Sequence, residues 1–216
     1  MAYADRVWLS QYRDGTPPDI PLGGEGGFAN AVAMFAATAA AHADKPLIYY
    51  AGTTLTVGEV DRMSDALAAG LVADGFATGD RLAVYLQNVP QFAIAVLGAW
   101  KAGGIVVPIN PMNKERELTY AIEDSGATVL VTLESLYDDV VRATDIPTLR
   151  TVITTSELDL TSDDPLPSVL QASVRNRPSD TLDLLEVVAA HDGESPPAVS
   201  LGPDDAGFSG DGLIWR

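Results

Sequence analysis

The side chains able to do chemistry are few and scattered along this 216-residue chain. There is no cysteine, which removes disulfides, thiolate nucleophiles and thiolate zinc sites together. His42 and His191 lie far apart without neighbouring ligand patterns, and each reads as a surface or cap residue. Lysine occurs only at positions 45, 101 and 114. Lys101 closes an apolar run and reads as the solvated end of a buried helix. Thr56-Val57-Gly58-Glu59 has the spacing of a capping box, in which the threonine oxygen accepts from the third backbone N–H and the glutamate reaches back. Glu59 is thus a cap before it is a base. No catalytic residue and no metal ligand is assigned from this inventory. One loop is better placed: Asn110-Pro111-Met112-Asn113 follows the apolar strand-type run Ile105-Val106-Val107-Pro108. It leaves the C-terminal end of that strand, where open parallel sheets bind ligands. Asn113 is also placed to cap the helix expected from Glu115.

The elements that would position these residues follow from pattern. Phe28 to Ala43 is alanine-rich and apolar, and a buried helix is expected. Leu47–Tyr50 and Thr53–Thr56 flank Ala51-Gly52, a hairpin signal. The capping box starts a helix whose Val60, Met63, Leu67 and Leu71 form one apolar face, ended by Gly75 and Gly79-Asp80. Arg81–Leu86 reads as a strand buried on both faces. Asn88 can cap the next helix, with Pro90 tolerated in its first turn, and Phe92 to Trp100 is apolar nearly all round. Gly103-Gly104 breaks that helix before Ile105–Pro108. A helix from Glu115 to Ser125 capped by Gly126, a strand Ala127–Thr132, a helix Glu134–Ala143 and a strand Leu149–Thr154 repeat the cycle. This alternation predicts parallel crossovers, hence an α/β fold with an open, mostly parallel sheet and helices on both faces.

Composition sets the outer limits. Hydrophobic residues make up 47% and charged residues 20%, which is globular rather than disordered. No run approaches the about 18 apolar residues of a membrane span, and Met1-Ala-Tyr-Ala-Asp5-Arg6 is not a signal peptide, so a soluble cytoplasmic protein is expected. The net charge of −17 argues against nucleic acid as a partner. With so few lysines, it suggests a salt-adapted host. Residues 1–150 hold 18 acids and 10 bases, whereas residues 151–216 hold 12 acids and only Arg175, Arg177 and Arg216.

Four segments in register carry a family resemblance: Leu55-Thr56-Val57-Gly58-Glu59-Val60; Gly79-Asp80-Arg81 with Gln87-Asn88-Val89-Pro90-Gln91-Phe92; Trp100-Lys101-Ala102-Gly103-Gly104 running to Pro108-Ile109-Asn110-Pro111; and Arg116-Glu117-Leu118 leading to Glu123-Asp124-Ser125-Gly126-Ala127. Each is commonplace alone. Together they resemble the N-terminal part of the adenylate-forming superfamily of AMP-dependent synthetases and ligases. Trp8-Leu9, Tyr12, Pro17 and Ile20 further resemble the start of long-chain fatty acid–CoA ligases.

The resemblance implies an enzyme that adenylates a carboxylic acid with ATP and Mg²⁺ and then passes the acyl group to CoA. It implies that Asn110, Met112 and Asn113 lie in a loop on the CoA side. It also implies a phosphate loop, Thr-Ser/Gly-Gly-Thr-Thr-Gly-x-Pro-Lys-Gly, after an Asp-Asp pair. Pro203-Asp204-Asp205 appears on cue, but Ser209-Gly210-Asp211-Gly212-Leu213 follows without the threonines or lysine, so this stretch is either a degenerate loop or a frayed tail. The expected organisation is an N-terminal arm (1–26), an α/β subdomain (27–155), an acidic, loop-rich continuation (156–202) and the phosphate-loop region or tail (203–216). No cofactor is expected on this chain alone. The expectation is a truncated, inactive N-terminal piece of a fatty acid–CoA ligase; the alternatives are one half of a split ligase with a complementary C-terminal chain, or an acyl-CoA- or protein-binding module. Helices that pack within a larger domain would leave apolar patches prone to self-association.

Overall fold

A computed structural model describes residues 7–16, 27–162, 164–202, 205–210 and 213–215. Val7–Gln11 forms a short 3-10 helix, and residues 1–6 and 17–26 of the arm, including Pro17 and Ile20, lie outside the described residues. Helix α1 spans Ala31–His42, its first turn capped by Asn30, whose Oδ1 accepts from the Ala33 N–H at 2.8 Å. It is not buried as its apolar composition predicts: only Ala39 is fully covered, and Met34 is half-exposed. Phe35 rests against the core, while the outer side of the helix meets no further layer among the described residues.

Strands β1 (Pro46–Tyr50) and β2 (Thr53–Thr56) form the expected hairpin, and Ala51 and Gly52 both take positive φ, the turn geometry that matches strand twist. Helix α2 (Val57–Ala73) begins at the capping box as read: Thr56 Oγ1 accepts from the Glu59 N–H and Glu59 Oε2 from the Thr56 N–H. Val60, Met63, Leu67 and Leu71 are all buried.

The main sheet contains β3 (Arg81–Tyr85), β4 (Ile105–Pro108), β5 (Val129–Leu133), β6 (Thr151–Thr155), β7 (Leu182–Asp183), β8 (Phe208–Gly210) and β9 (Leu213–Trp215). Their order is β7-β6-β5-β3-β4-β8-β9, parallel throughout except for the β8–β9 pair. Helix α3 (Pro90–Lys101) links β3 to β4, α4 (Glu115–Ser125) links β4 to β5, α5 (Glu134–Asp139) follows β5, and α6 (Leu184–Ala190) follows β7. Side-chain alternation divides the core. Leu82 and Val84 of β3 pack with α2, α3 and α6 on one face, while Ala83 and Tyr85 pack with Leu118 and Ile122 of α4 and with Tyr137 of α5 on the other. This is the two-faced parallel architecture expected from the sequence.

Three local expectations change. The N-cap of α3 is Val89, not Asn88; its extended backbone and Pro90 at the first helical position start the helix without a side-chain cap. The N-cap of α4 is Lys114, not Asn113, and its N–H is held by Glu117 Oε2 at 3.3 Å. The stretch after Gly207 is no frayed tail: β8 joins β4 and β9 folds back on β8, with Asp211 and Gly212 outside the described residues. Within 156–202, Leu182–Ala190 adds a strand and a helix, started by Asp183, whose Oδ1 accepts from the Glu186 N–H.

Candidate functional site

Adjacent parallel strands whose following helices lie on opposite sheet faces leave a crevice between their C-terminal ends. Strands β3 and β4 are such a pair, with α3 on one face and α4 on the other. The residues after β3 are Leu86–Val89, and those after β4 are Ile109–Lys114, so Asn110, Met112 and Asn113 follow the C-terminal end of β4, the end of the sheet where such a crevice forms.

The loop is internally braced. Asn110 Oδ1 accepts from the Met112 N–H at 2.9 Å, and the Asn110 carbonyl accepts from the Asn113 N–H at 2.9 Å, an Asx-type turn. Its tip, Met112, is 75% exposed. From below, Tyr85 Oη donates to the Asn113 carbonyl at 2.5 Å. Tyr85 is fully buried at the end of the central strand, and burial, then the carboxylate of Glu115, pushes its phenol above the ordinary value. It therefore remains a donor at neutral pH. On the far side of β4, the parallel strand β8 delivers Ser209-Gly210 to the same end of the sheet. Trp100 holds the start of β8: its Nε1 donates to the Gly207 carbonyl at 2.8 Å and its ring meets Phe208 edge-on at 5.0 Å.

Lys101 is elsewhere and is not a solvated helix end. Its Nζ is buried between Asp61 and Asp65 of α2, with Oδ1 atoms at 2.6 and 2.7 Å, and it also donates to the Asp61 carbonyl. It locks α3 to α2 and touches no crevice residue. Glu59 is a cap, as read, and His191 pairs with Glu194 at 3.0 Å on the surface.

A second polar group at the same end of the sheet was not anticipated. Gln91 at the start of α3 is fully buried and donates to Thr155 Oγ1 and the Ser156 carbonyl, both at 3.0 Å. Asp159 Oδ2 accepts from Thr155 Oγ1 at 2.7 Å and from the Ser156 N–H at 2.9 Å. Arg175 enters from the 156–181 excursion and pairs with Asp159, Asp183 and Glu134, whose Oε2 also accepts from the Asn176 N–H at 2.6 Å. The only sequence signal was that Arg175 is one of three bases in an acidic third; Tyr85 gave none, because in a buried strand it reads as one more large apolar residue. Among the described residues, no three His, Cys, Asp or Glu side chains converge so as to hold a metal ion. No helix among them is long and apolar enough to cross a membrane.

The family described as AMP-binding enzyme matches residues 35–206. The chain belongs to this family. It is 32% identical over 156 residues to the long-chain-fatty-acid–CoA ligase of Bacillus subtilis (strain 168), a match covering 72% of this chain and 27% of that protein. Against the protein of the same name from Yersinia pestis it is 34% identical over 128 residues, 59% of this chain and 22% of the other. Among solved structures, a long-chain-fatty-acid–CoA ligase from Archaeoglobus fulgidus superposes with a TM-score of 0.65 at 21% identity, covering 82% of this chain and 33% of that one. The acetoacetyl-CoA synthetase of Streptomyces lividans gives 0.67 at 24% identity, covering 82% and 27%. These structural likenesses report the fold. The chain spans about a quarter of the length of the curated long-chain-fatty-acid–CoA ligases it matches.

Proposed function

We propose that these 216 residues form the N-terminal α/β portion of a fatty acid–CoA ligase, present Asn110–Asn113 to CoA, and do not adenylate a carboxylate by themselves. The observation that carries the reading is the braced loop at the β3/β4 crevice in a member of the AMP-binding family. The fatty acid as substrate class rests on the similarity to long-chain-fatty-acid–CoA ligases.

The loop's contribution is to bind and orient. The Asx-type turn fixes its backbone, and an exposed, polarizable thioether at the tip suits contact with a flat ring such as a nucleotide base. The two asparagines supply carboxamides with both donor and acceptor character. Adenylation by contrast needs positive charge and hydroxyl donors around a triphosphate, and the sequence has neither lysine nor threonine after Thr181. In the sequence, Asp211 stands where a phosphate loop would carry hydroxyl and positively charged residues; a like charge about 4 Å from a phosphate costs about 1 kcal/mol in water and about 4 kcal/mol near a protein surface.

Titration of the ¹⁵N-labelled chain with CoA tests the binding part. The amide signals of Met112 and Asn113 are expected to shift together; no shift at millimolar CoA removes the CoA-side assignment.

A further inference from the structure

We infer that Tyr85 is the positioning residue of the crevice, setting the Asn110–Asn113 loop in the shape that receives its ligand; this rests on the CoA-side reading of the loop. Three observations converge. Tyr85 closes β3, the strand flanked by β4 and β5 at the sheet centre, with its ring packed in the cluster that holds Val107, Ile109, Leu118 and Ile122. Its position is thus fixed by the core and not by the loop. Its hydroxyl is the group that carries this fixed position upward, through the 2.5 Å bond to the Asn113 carbonyl. Asn113 is in turn tied to Asn110, which holds Met112, so one buried hydroxyl sets the whole four-residue turn.

A purely apolar residue would fill the same core space, so the hydroxyl is explained by the loop. A phenol buried without a partner would cost free energy, and its partner here is a loop carbonyl rather than a group of the sheet. Tyr137 gives an internal control: it lies in the same cluster and is also buried, but donates to Asp180, which precedes β7, a strand separated from β3 by β6 and β5.

The test compares the intact chain with Tyr85→Phe and Tyr137→Phe, by amide hydrogen exchange and by CoA titration. Tyr85→Phe is expected to speed exchange of the Met112 and Asn113 amides by about tenfold relative to core amides of β5, and to weaken CoA binding by about tenfold. Tyr137→Phe is expected to leave both unchanged even where it lowers thermal stability. Unaltered loop exchange in Tyr85→Phe overturns the inference and leaves the CoA reading standing. So does loosened exchange with undiminished CoA affinity. Wild-type chain that fails to bind CoA overturns the CoA-side reading instead, while the exchange arm still decides whether Tyr85 sets the loop.

Discussion

Replacing Arg175 with methionine removes the one cation from a site that Glu134, Asp159 and Asp183 enter from the ends of three neighbouring strands. Of the three carboxylates left behind, Glu134 is 1% and Asp159 3% exposed, and these two cannot be rehydrated without opening the structure. Breaking a buried pair by removing one partner costs about 3–5 kcal/mol, because a buried charge is left uncompensated. The Arg175 side chain is 24% exposed, which places the expected loss near the lower end, about 3 kcal/mol. Against a total stability on the order of 5–15 kcal/mol, that is a large fraction. In urea, with a slope of about 2 kcal/mol/M, the midpoint should fall by roughly 1.5 M. The combination Arg175→Met with Glu134→Gln should recover part of the loss, since it neutralises one of the stranded charges without changing its shape. A loss below about 0.5 kcal/mol for the single variant would place the pair with ordinary surface bridges and refute the account of this network.

Tyr137 and Gly104 give two further tests. Burial and the hydrogen bond to Asp180 push the Tyr137 phenol from about 10 up to about 12, so the neutral form is favoured by folding: its contribution is full below pH 10 and is lost as pH rises through about 12. Ultraviolet titration should show a tyrosine ionising at about pH 12 whose signal is lost in Tyr137→Phe; Asp180, held below 3.8 mainly by the same bond, loses its share only as pH falls through its lowered value. A Cβ at Gly104 would lie 2.4 and 2.5 Å from the Phe76 ring and 3.1 Å from the Ala99 carbonyl, and Phe76 is buried. Gly104→Ala should therefore cost about 1–3 kcal/mol, read as a fall in Tm of roughly 3–10 °C; an unchanged Tm would show that the ring moves aside freely.

The parallel core was legible because its signals are local and redundant. Short apolar runs at 81–86, 105–108 and 127–132 alternate with capped or glycine-ended helices, and the strands lie within two residues of those bounds, at 81–85, 105–108 and 129–133. The misread polar groups share one physical origin: their partners are distant in sequence. Lys101 reads as solvated until α2 brings Asp61, 40 positions away, and Asp65 to it, and Arg175 reads as a loop base until Glu134, Asp159 and Asp183 converge on it. The cover on α1 failed for the complementary reason, since alanine-rich composition reports what a helix can bury and not what lies beside it. Strand β7 has two residues, too few for a period, although Asp183 three positions before Glu186 did carry the cap signature of α6. At the crevice, the loop was legible from its place after β4, whereas the Tyr85 hydroxyl beneath it was not.

The most direct test of the central claim is pyrophosphate release by the purified 216-residue chain given ATP, Mg²⁺ and a long-chain fatty acid. A stretch that carries the sheet and the Asn110–Asn113 loop without the lysine and threonines of a phosphate loop is predicted to release none above buffer. Sustained, fatty-acid-dependent release would contradict it.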